Sequence, residues 1–243
     1  KEMPRKYWRN LPEARLIPDL VAQAPARVEE MIAREAAMSA KRDPQKAVAA
    51  MAAQNPTSLS ALNQIIMASP PFVAGGTRAV LGEGMLDPAI AFIGEQPGDE
   101  EDAQGRCFVG PAGQLLDAML AQAGINRADC YITNAVKHFK FEQRGKRRLH
   151  QSPTTGEIKH YRWWLLKELE LVRPRLVVAL GASAALAVGG KPVSVTQTRG
   201  PAQLGDWPAF VTTHPSYLLR FPDAQAAFLQ DLRAVKSLAQ IHA

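Results

Sequence analysis

Cysteine and long apolar runs are both scarce in this chain of 243 residues. Its two cysteines, Cys107 and Cys130, are too few for a disulfide framework or a four-cysteine metal site. No apolar run approaches the roughly 18 residues of a membrane-spanning helix, and no secretory signal peptide is recognisable. We therefore expect a cytoplasmic protein that keeps its thiols reduced.

Acidic residues are nearly missing from residues 137–148, which contain six Lys or Arg and a single acid, Glu142. The formal net charge of the whole chain is only +6, so this segment carries most of the excess. Such a concentration favours a patch that binds a polyanion, although a solvated basic loop has the same composition. Phe139 and Phe141 lie within the segment, and His150 follows it.

From residue 57 onward, short apolar runs alternate with helical patterns. Four runs have the character of buried strands, namely AIAFIG, YITNAV, LVVALG and AFVTT. Helices with one apolar face are predicted near residues 112–124, 157–172, 181–190 and 223–240. The alternation predicts an α/β fold, a three-layer α/β/α sandwich with a central, mostly parallel four-stranded sheet.

Residues 1–50 have a different sequence pattern, in which charged helical segments are interrupted by Pro12, Pro18 and Pro25. We predict a helical extension here, in front of a domain that spans residues 51–243. The chain starts at Lys1 within such a pattern, which suggests a piece of a longer polypeptide.

Polar residues follow the predicted strands, at the sheet edge where parallel sheets bind ligands. Glu95 follows the first strand, Asn134 ends the second, and His214 follows the fourth. An amide can read a base edge through its donor and acceptor, and a histidine can donate to an oxygen that gains charge. Taken singly, each residue has a plainer explanation as a turn-forming or solvated side chain. The chain contains no GxSxG, so a serine hydrolase has little support.

Two further residues in this region allow two explanations each. Phe108, just before a Gly-Pro turn, either fills the core or offers a platform on which a planar ligand stacks. Ser216 and nearby backbone N–H groups could hold a phosphate, but the sequence HPS alone is weak evidence.

Five motifs in order resemble the uracil-DNA glycosylase superfamily: GEQPGDEED, CFVGPAGQLLD, YITNAVKHFKF, GKRRLH and HPSYLLR. The resemblance covers about residues 57–243 and is greatest to the branch near family 4 and its UdgX-type uracil-DNA-binding proteins. Residues 1–50 are similar to the end of a domain of unknown function that lies upstream of UdgX-type domains in fused proteins.

The resemblance implies roles for particular side chains. Phe108 would stack on an extruded uracil, Asn134 would read its O4 and N3 edge, and His214 would hydrogen-bond its O2. Glu95 would lie under the sugar, and Gln96 would line the same pocket. The residues expected at the DNA are Lys146, Arg147, Arg148, Ser216 and Arg220, with support of its own loop as the alternative role of Arg148.

His150 ends the segment GKRRLH, which is similar to the KRRIH motif of UdgX-type proteins. In those proteins the histidine bonds covalently to C1′ of the deoxyribose after uracil leaves, whereas ordinary family members use water and turn over. A neutral imidazole is a good nucleophile near neutral pH, which is consistent with that role. Leu149 stands where the motif has Ile, a conservative change.

Proteins of this type usually carry a four-iron four-sulfur cluster. By the resemblance, its ligand positions here are Met67, Pro70, His138 and Tyr161. Only His138 retains a plausible ligand, and such clusters need several thiolates at one place. We therefore expect no cluster, no metal and no other cofactor. The residues expected to fill the vacated region are Phe72, Tyr161, Trp163 and Trp164.

Three functions remain open from the sequence. The first is a uracil-DNA glycosylase that becomes linked to the abasic site through His150. The second is a conventional multi-turnover glycosylase, and the third is a uracil-DNA or single-strand binding module without bond cleavage. In each case we expect single-stranded DNA to be preferred, because flipping a base costs less when no base pair is broken. We also expect a monomer that does not associate with membranes.

Overall fold

The computed structural model describes residues 55–241. The predicted extension at residues 1–50 and the domain boundary at residue 51 lie outside these residues. The helices are α1 (Leu59–Ala68), α2 (Asp99–Gln104), α3 (Pro111–Ala123), α4 (Thr155–Val172), α5 (Ala182–Gly189), α6 (Val195–Thr198), α7 (Pro215–Arg220) and α8 (Gln225–Ile241). The strands are β1 (Glu83–Gly84), β2 (Ile90–Gly94), β3 (Tyr131–Asn134), β4 (Phe141–Arg144), β5 (Arg147–His150), β6 (Leu176–Leu180), β7 (Gly200–Leu204) and β8 (Trp207–Thr212).

A six-stranded sheet forms the centre of the fold, in the order β1-β3-β2-β6-β8-β7. The four inner strands are parallel and coincide with the four predicted apolar runs. β1 and β7 add an antiparallel strand at each edge. The α/β class and the mostly parallel sheet are confirmed, and the sheet has six strands instead of four. Neither edge strand contains an apolar run, so the sequence gives little sign of them.

Apolar side chains cover both faces of this sheet. Along β2, Ala91 and Ile93 belong to one cluster, together with residues of α1, α4 and α5. Ile90 and Phe92 belong to the other, together with residues of α3 and α8. Alternate residues of a strand point to opposite faces, so a strand buried on both sides must be apolar throughout. The helices therefore form the two outer layers of the predicted α/β/α sandwich.

From Phe141 onward, the basic segment forms a β-hairpin and not the loop that its charge suggested. β4 and β5 form a separate two-stranded antiparallel sheet in which Phe141 pairs with His150. Gly145 makes the turn with a φ of 58°, in the left-handed region that favours glycine. The hairpin gives His150 a defined place at the end of a strand.

No helix in the described part of the chain is both long and apolar enough to cross a membrane.

Candidate active site

The carboxyl ends of the four parallel strands surround a cavity of about 690 Å³. β2 leads into Glu95, β3 ends at Asn134, β6 leads into Ser183, and β8 leads into His214. His150, at the end of the hairpin, also lines this cavity. All six residues predicted for catalysis or uracil binding line it: Glu95, Gln96, Phe108, Asn134, His150 and His214.

Asn134 is the buried amide at the floor of the cavity. Its side chain is 1% exposed, and its Oδ1 has no hydrogen-bond partner among residues 55–241. Its Nδ2 makes one long contact, 3.7 Å to the Sγ of Cys107. A buried polar atom without a partner is unusual and indicates a place where a ligand supplies the missing bond.

Phe108 lies next to Asn134, and its ring is 5.9 Å from the ring of His214 between centroids. Its backbone has a φ of 53°, which is uncommon for a residue with a side chain. Arg127 donates hydrogen bonds to the carbonyl oxygens of Cys107 and Phe108, at 2.8 and 3.3 Å. These bonds hold the strained backbone and so fix the aromatic face in the cavity.

His214 lines the cavity, and only one of its two ring nitrogens has a hydrogen-bond partner within the described residues. Nδ1 accepts hydrogen bonds from the backbone N–H and the hydroxyl of Ser216, at 3.2 and 2.8 Å. The proton of the neutral ring must then be on Nε2, which is buried and has no partner within the described chain. Burial lowers the pKa of His214 to about 4, with His150 adding to the effect, so the ring is a neutral donor.

Glu95 and His150 meet on the opposite side of the cavity. Ser183 at the start of α5 donates its hydroxyl to Glu95 Oε2 at 2.6 Å. Glu95 Oε1 is 3.7 Å from His150 Nε2. The carboxylate is thus oriented by Ser183 and stands beside an imidazole.

Gln96 connects the end of β2 to the hairpin. Its Oε1 accepts from the backbone N–H of Lys140, and its Nε2 donates to the carbonyl oxygen of Gln151 at 3.1 Å. These contacts orient the amide, so the nitrogen faces His150 Nε2 at 2.8 Å. The ring nitrogen must accept this bond, which places a lone pair on Nε2. Gln96 lines the cavity as predicted, and its amide is engaged in holding the hairpin.

The protein itself neutralises most of the charge of the basic segment, so fewer than six of its charges are available for a polyanion. Four of the six side chains have acidic partners. The pairs are Lys137 with Glu168, Lys140 with Glu157, Arg144 with Glu142, and Arg148 with Asp99 and Asp102. Lys146 and Arg147 are exposed and have no ion-pair partner within residues 55–241. These two remain as candidates for binding DNA phosphates.

Arg148 supports its own hairpin, the second of its two predicted roles. Besides its pairs with Asp99 and Asp102, its guanidinium lies 5.4 and 5.1 Å from the ring centroids of Phe139 and Phe141. The acidic partners hold its pKa above the ordinary arginine value. Of the other two residues predicted at the DNA, Ser216 orients His214, and Arg220 is exposed at the cavity rim.

The four positions of the family's iron–sulfur ligands contain no thiolate, so these residues do not fit such a cluster. Met67 is 60% exposed, while His138 and Tyr161 are buried and linked by a hydrogen bond of 2.8 Å. Tyr161 also accepts from the backbone N–H of Phe72 at 2.9 Å, so its own proton goes to His138 Nδ1. Burial lowers the pKa of His138 to about 4, which leaves the ring able to accept it.

Aromatic rings surround this hydrogen-bonded pair. Phe72 stacks on His160 with centroids 3.7 Å apart, and Trp164 contacts Tyr161 edge-on at 5.3 Å. Trp163 is partly buried against the same core. Across residues 55–241, no three His, Cys, Asp or Glu side chains are grouped so that they could hold a metal ion.

Several residues that build the site are not recognisable as functional from the sequence. Ser183 lies in a segment that follows a strand, which is its only signal. Arg127 donates to the carbonyl oxygens of Cys107 and Phe108, Cys107 contacts Asn134, and Lys137 pairs with Glu168. In each case the partner is distant in the sequence. The sequence shows their types but not the partners that the fold brings to them.

The comparisons with known proteins agree with this geometry. The family described as the Uracil DNA glycosylase superfamily matches residues 81–235, well over half of the chain. A type-4 uracil-DNA glycosylase of Thermotoga maritima is 42% identical over 172 residues, which cover 69% of this chain and 86% of that protein.

Two archaeal relatives are more distant. The type-4 uracil-DNA glycosylase of Pyrobaculum aerophilum is 32% identical over 164 residues, covering 64% of this chain and 80% of that protein. The one of Sulfurisphaera tokodaii is 31% identical over 173 residues, covering 67% and 76%. On this evidence, the chain belongs to the uracil DNA glycosylase superfamily.

Proposed function

We propose that this protein is a uracil-DNA glycosylase that releases uracil and then stays bonded to the DNA through His150. The type-4 uracil-DNA glycosylases among its relatives support the class of reaction. The observation that carries the covalent step is the position of His150. Its Nε2 is 3.7 Å from the Glu95 carboxylate, in the same cavity as Asn134 and His214.

Base recognition falls to Asn134 and Phe108. Uracil presents an O4 acceptor beside an N3–H donor, which the amide N–H and the unpaired Oδ1 of Asn134 match. Cytosine reverses this pattern and would leave buried groups unpaired, at a cost of about 1–3 kcal/mol for each. Stacking on Phe108 adds roughly 1–3 kcal/mol for any flat base and therefore holds the base without selecting it.

Bond cleavage depends on His214 and Glu95. When the bond between C1′ and N1 breaks, its electron pair leaves with uracil and part of the charge gathers on O2. The neutral His214 donates its Nε2–H to that oxygen without needing to be charged itself. The sugar becomes an oxocarbenium ion, and the oriented carboxylate of Glu95 stabilises its positive charge.

His150 then completes the reaction in place of water. The lone pair of Nε2 forms a bond with C1′, and the ring loses its Nδ1 proton to solvent. Gln96 must release Nε2 in this step, and it keeps its contact to Gln151. An alkylated imidazole is a poor leaving group, and a nucleophile held in contact with its target outcompetes water through its high effective concentration.

The stoichiometry of uracil release tests this proposal. Parental protein in contact with excess uracil-containing single strand should release about one uracil per protein molecule, because each reaction consumes its nucleophile. His150→Ser, which admits water at the same place, should release uracil repeatedly. Many uracils per molecule of parental protein would contradict the covalent step, and none at all would contradict glycosylase activity.

We propose single-stranded DNA as the preferred substrate. Tyr217 and Phe221 are exposed next to the cavity, with ring centroids 4.6 Å apart, and can stack on unpaired bases. Arg220 at the rim and the exposed Lys146 and Arg147 supply positive charge for phosphates. The rate of uracil release from a single strand should exceed the rate from the matched duplex, and a faster reaction on the duplex would contradict this preference.

We propose that the protein works without an iron–sulfur cluster. The support is the Tyr161–His138 hydrogen bond and the aromatic packing at the positions where the family's ligands would lie. An iron and acid-labile sulfide assay on active protein should find neither in stoichiometric amount. Stoichiometric iron and sulfide would contradict this.

The second candidate is a conventional glycosylase that turns over. It is favoured by the oriented Glu95 carboxylate, which lines the open cavity and could activate a water molecule. The stoichiometry of uracil release distinguishes the two candidates.

A further inference from the structure

A buried ion pair lies beneath the residue that reads the base. We propose that Lys137 and Glu168 are positioning residues that fix Asn134 for uracil recognition. This inference rests on the proposed function, because it takes Asn134 as the base reader. Neither residue lines the cavity, so they act through Asn134 and do not touch the substrate.

Lys137 reaches back to the end of β3 with every proton of its ammonium group engaged. The side chain is 0% exposed. Its Nζ donates to the backbone carbonyl of Asn134 at 3.0 Å, to Thr133 Oγ1 at 2.6 Å and to Glu168 Oε2 at 2.5 Å. An ammonium has three donors, so its hydrogen-bonding capacity is complete.

Glu168 on α4 completes the same network from below. Its Oε1 accepts from the hydroxyl of Tyr131 at 2.9 Å, and both of its oxygens lie within 3.2 Å of Thr133 Oγ1. Burial and the neighbouring Glu168 raise the pKa of Tyr131, so the phenol stays protonated and donates. The pair therefore contacts three of the four residues of β3: Tyr131, Thr133 and, through its carbonyl, Asn134.

β3 ends at Asn134, and the turn that follows is held by backbone hydrogen bonds and by the side chain of Lys137. The next two backbone N–H groups, of Ala135 and Val136, donate to the carbonyl oxygens of Gly94 and Glu95. Lys137 then turns back on the carbonyl of Asn134, three residues earlier. The side chain thus closes the turn that carries the base reader.

Stability alone does not account for a buried ion pair at this place. Removing two charges from water is costly, and well-packed apolar residues of similar size often serve stability as well or better. What apolar residues cannot do is direct a hydrogen bond at one carbonyl oxygen. The network therefore fits a role in positioning the backbone of Asn134.

The test removes both charges together, so that no lone charge is left in the core. Lys137→Met with Glu168→Gln keeps an acceptor for Tyr131 and loses the bond to the Asn134 carbonyl. Displacing a reacting or binding group by about 1 Å can cost on the order of a hundredfold. We expect the affinity for free uracil, measured by NMR titration, to fall about tenfold or more.

A second affinity separates positioning from general damage. DNA that contains a tetrahydrofuran abasic site offers no base to Asn134, so the double variant should bind it like the parent. Lys167→Met with Glu170→Gln, which makes the same two changes at the more exposed pair on the same helix, should alter neither affinity. Thr133→Val removes one of the three acceptors of Lys137 and changes no charge. It should show the same selective loss to a smaller degree, and it decides the matter if the double variant does not fold.

Two results would overturn the inference: parental affinity for uracil in the variants, or an equal loss of affinity for uracil and for abasic DNA. Because uracil binding is measured without cleavage, a parent that binds uracil but does not release it would contradict the proposed function alone. A parent that neither binds nor releases uracil would overturn both.

Discussion

Gly94 limits the space that Asn134 and Phe108 share at the end of β2. It ends β2 between Asn134 and Phe108, and a Cβ built on it would lie 2.3 Å from Asn134 Oδ1 and 2.5 Å from Phe108 Cζ. Real Cβ atoms do not approach other atoms this closely, so Asn134 or Phe108 would have to move. The absence of a side chain at this position thus allows the amide and the aromatic ring to share one pocket.

Gly94→Ala should therefore nearly abolish uracil release while the protein still folds. We expect the rate to fall by about a hundredfold, because the base-contacting groups are displaced, and overpacking to cost about 1–3 kcal/mol of stability. Rates under single-turnover conditions and urea unfolding would measure these effects.

Gly156→Ala is the matched control for this change. Gly156 lies in the first turn of α4, where a Cβ would meet nothing closer than Thr154 Oγ1 at 3.9 Å. Its rate should equal that of the parent, with stability unchanged or raised by up to about 1 kcal/mol. A parental rate in Gly94→Ala would show that the pocket is not limited in this way.

At the scale of the element, the hairpin β4–β5 determines where His150 stands. It is attached through Arg148, which pairs with Asp99 and Asp102 and lies over two aromatic rings, and through Gln96. The floor of the base pocket is built from the ends of the parallel strands instead. In the proposed mechanism, recognition of the base and capture of the sugar are thus carried by different elements.

Arg148→Met should separate these two functions. It leaves the exposed Asp99 and the buried Asp102 without this partner and frees the hairpin, so the rate of adduct formation should fall by about tenfold or more. The affinity for free uracil should not change. Arg144→Met, on the same hairpin but paired only with the exposed Glu142, should leave both quantities at parental values. Equal losses in uracil affinity and adduct formation would contradict the separation of base recognition from capture of the sugar.

The elements differ in how well the sequence predicts them. Each inner strand is buried on both faces and therefore reads as an apolar run, which is why β2, β3, β6 and β8 are predictable. The hairpin is harder to predict because its charges dominate the pattern, although Phe139 and Phe141 alternate with polar residues. The pairing of Lys137 is not predictable, because Glu168 is 31 residues away on a helix that also carries Lys167 and Glu170.

The whole molecule should lose stability in mild acid, because three histidines are held neutral in the folded state. Burial lowers the pKa of His138, His160 and His214 to about 4, well below the value of an unfolded chain. The unfolded state therefore binds more protons as the pH falls from about 6.5 towards 4, and stability falls with it. Each histidine contributes a loss of up to about 3 kcal/mol over this window.

Urea unfolding at about pH 7 and about pH 4.5 would measure this loss. His160→Phe removes one of the three groups and keeps an aromatic ring for stacking on Phe72. Its stability should depend on pH about two thirds as steeply as that of the parent. A parent whose stability is the same at both pH values would contradict the prediction of neutral buried rings.

The mass of the intact protein after reaction shows whether His150 becomes bonded to the DNA. After incubation with a uracil-containing single strand and complete denaturation, the account predicts a species with the mass of the protein plus the strand minus uracil. Peptide mapping should place the modification on His150, and His150→Ala should give no such species. Release of uracil with the protein mass unchanged, or a modification on another residue, would contradict the account.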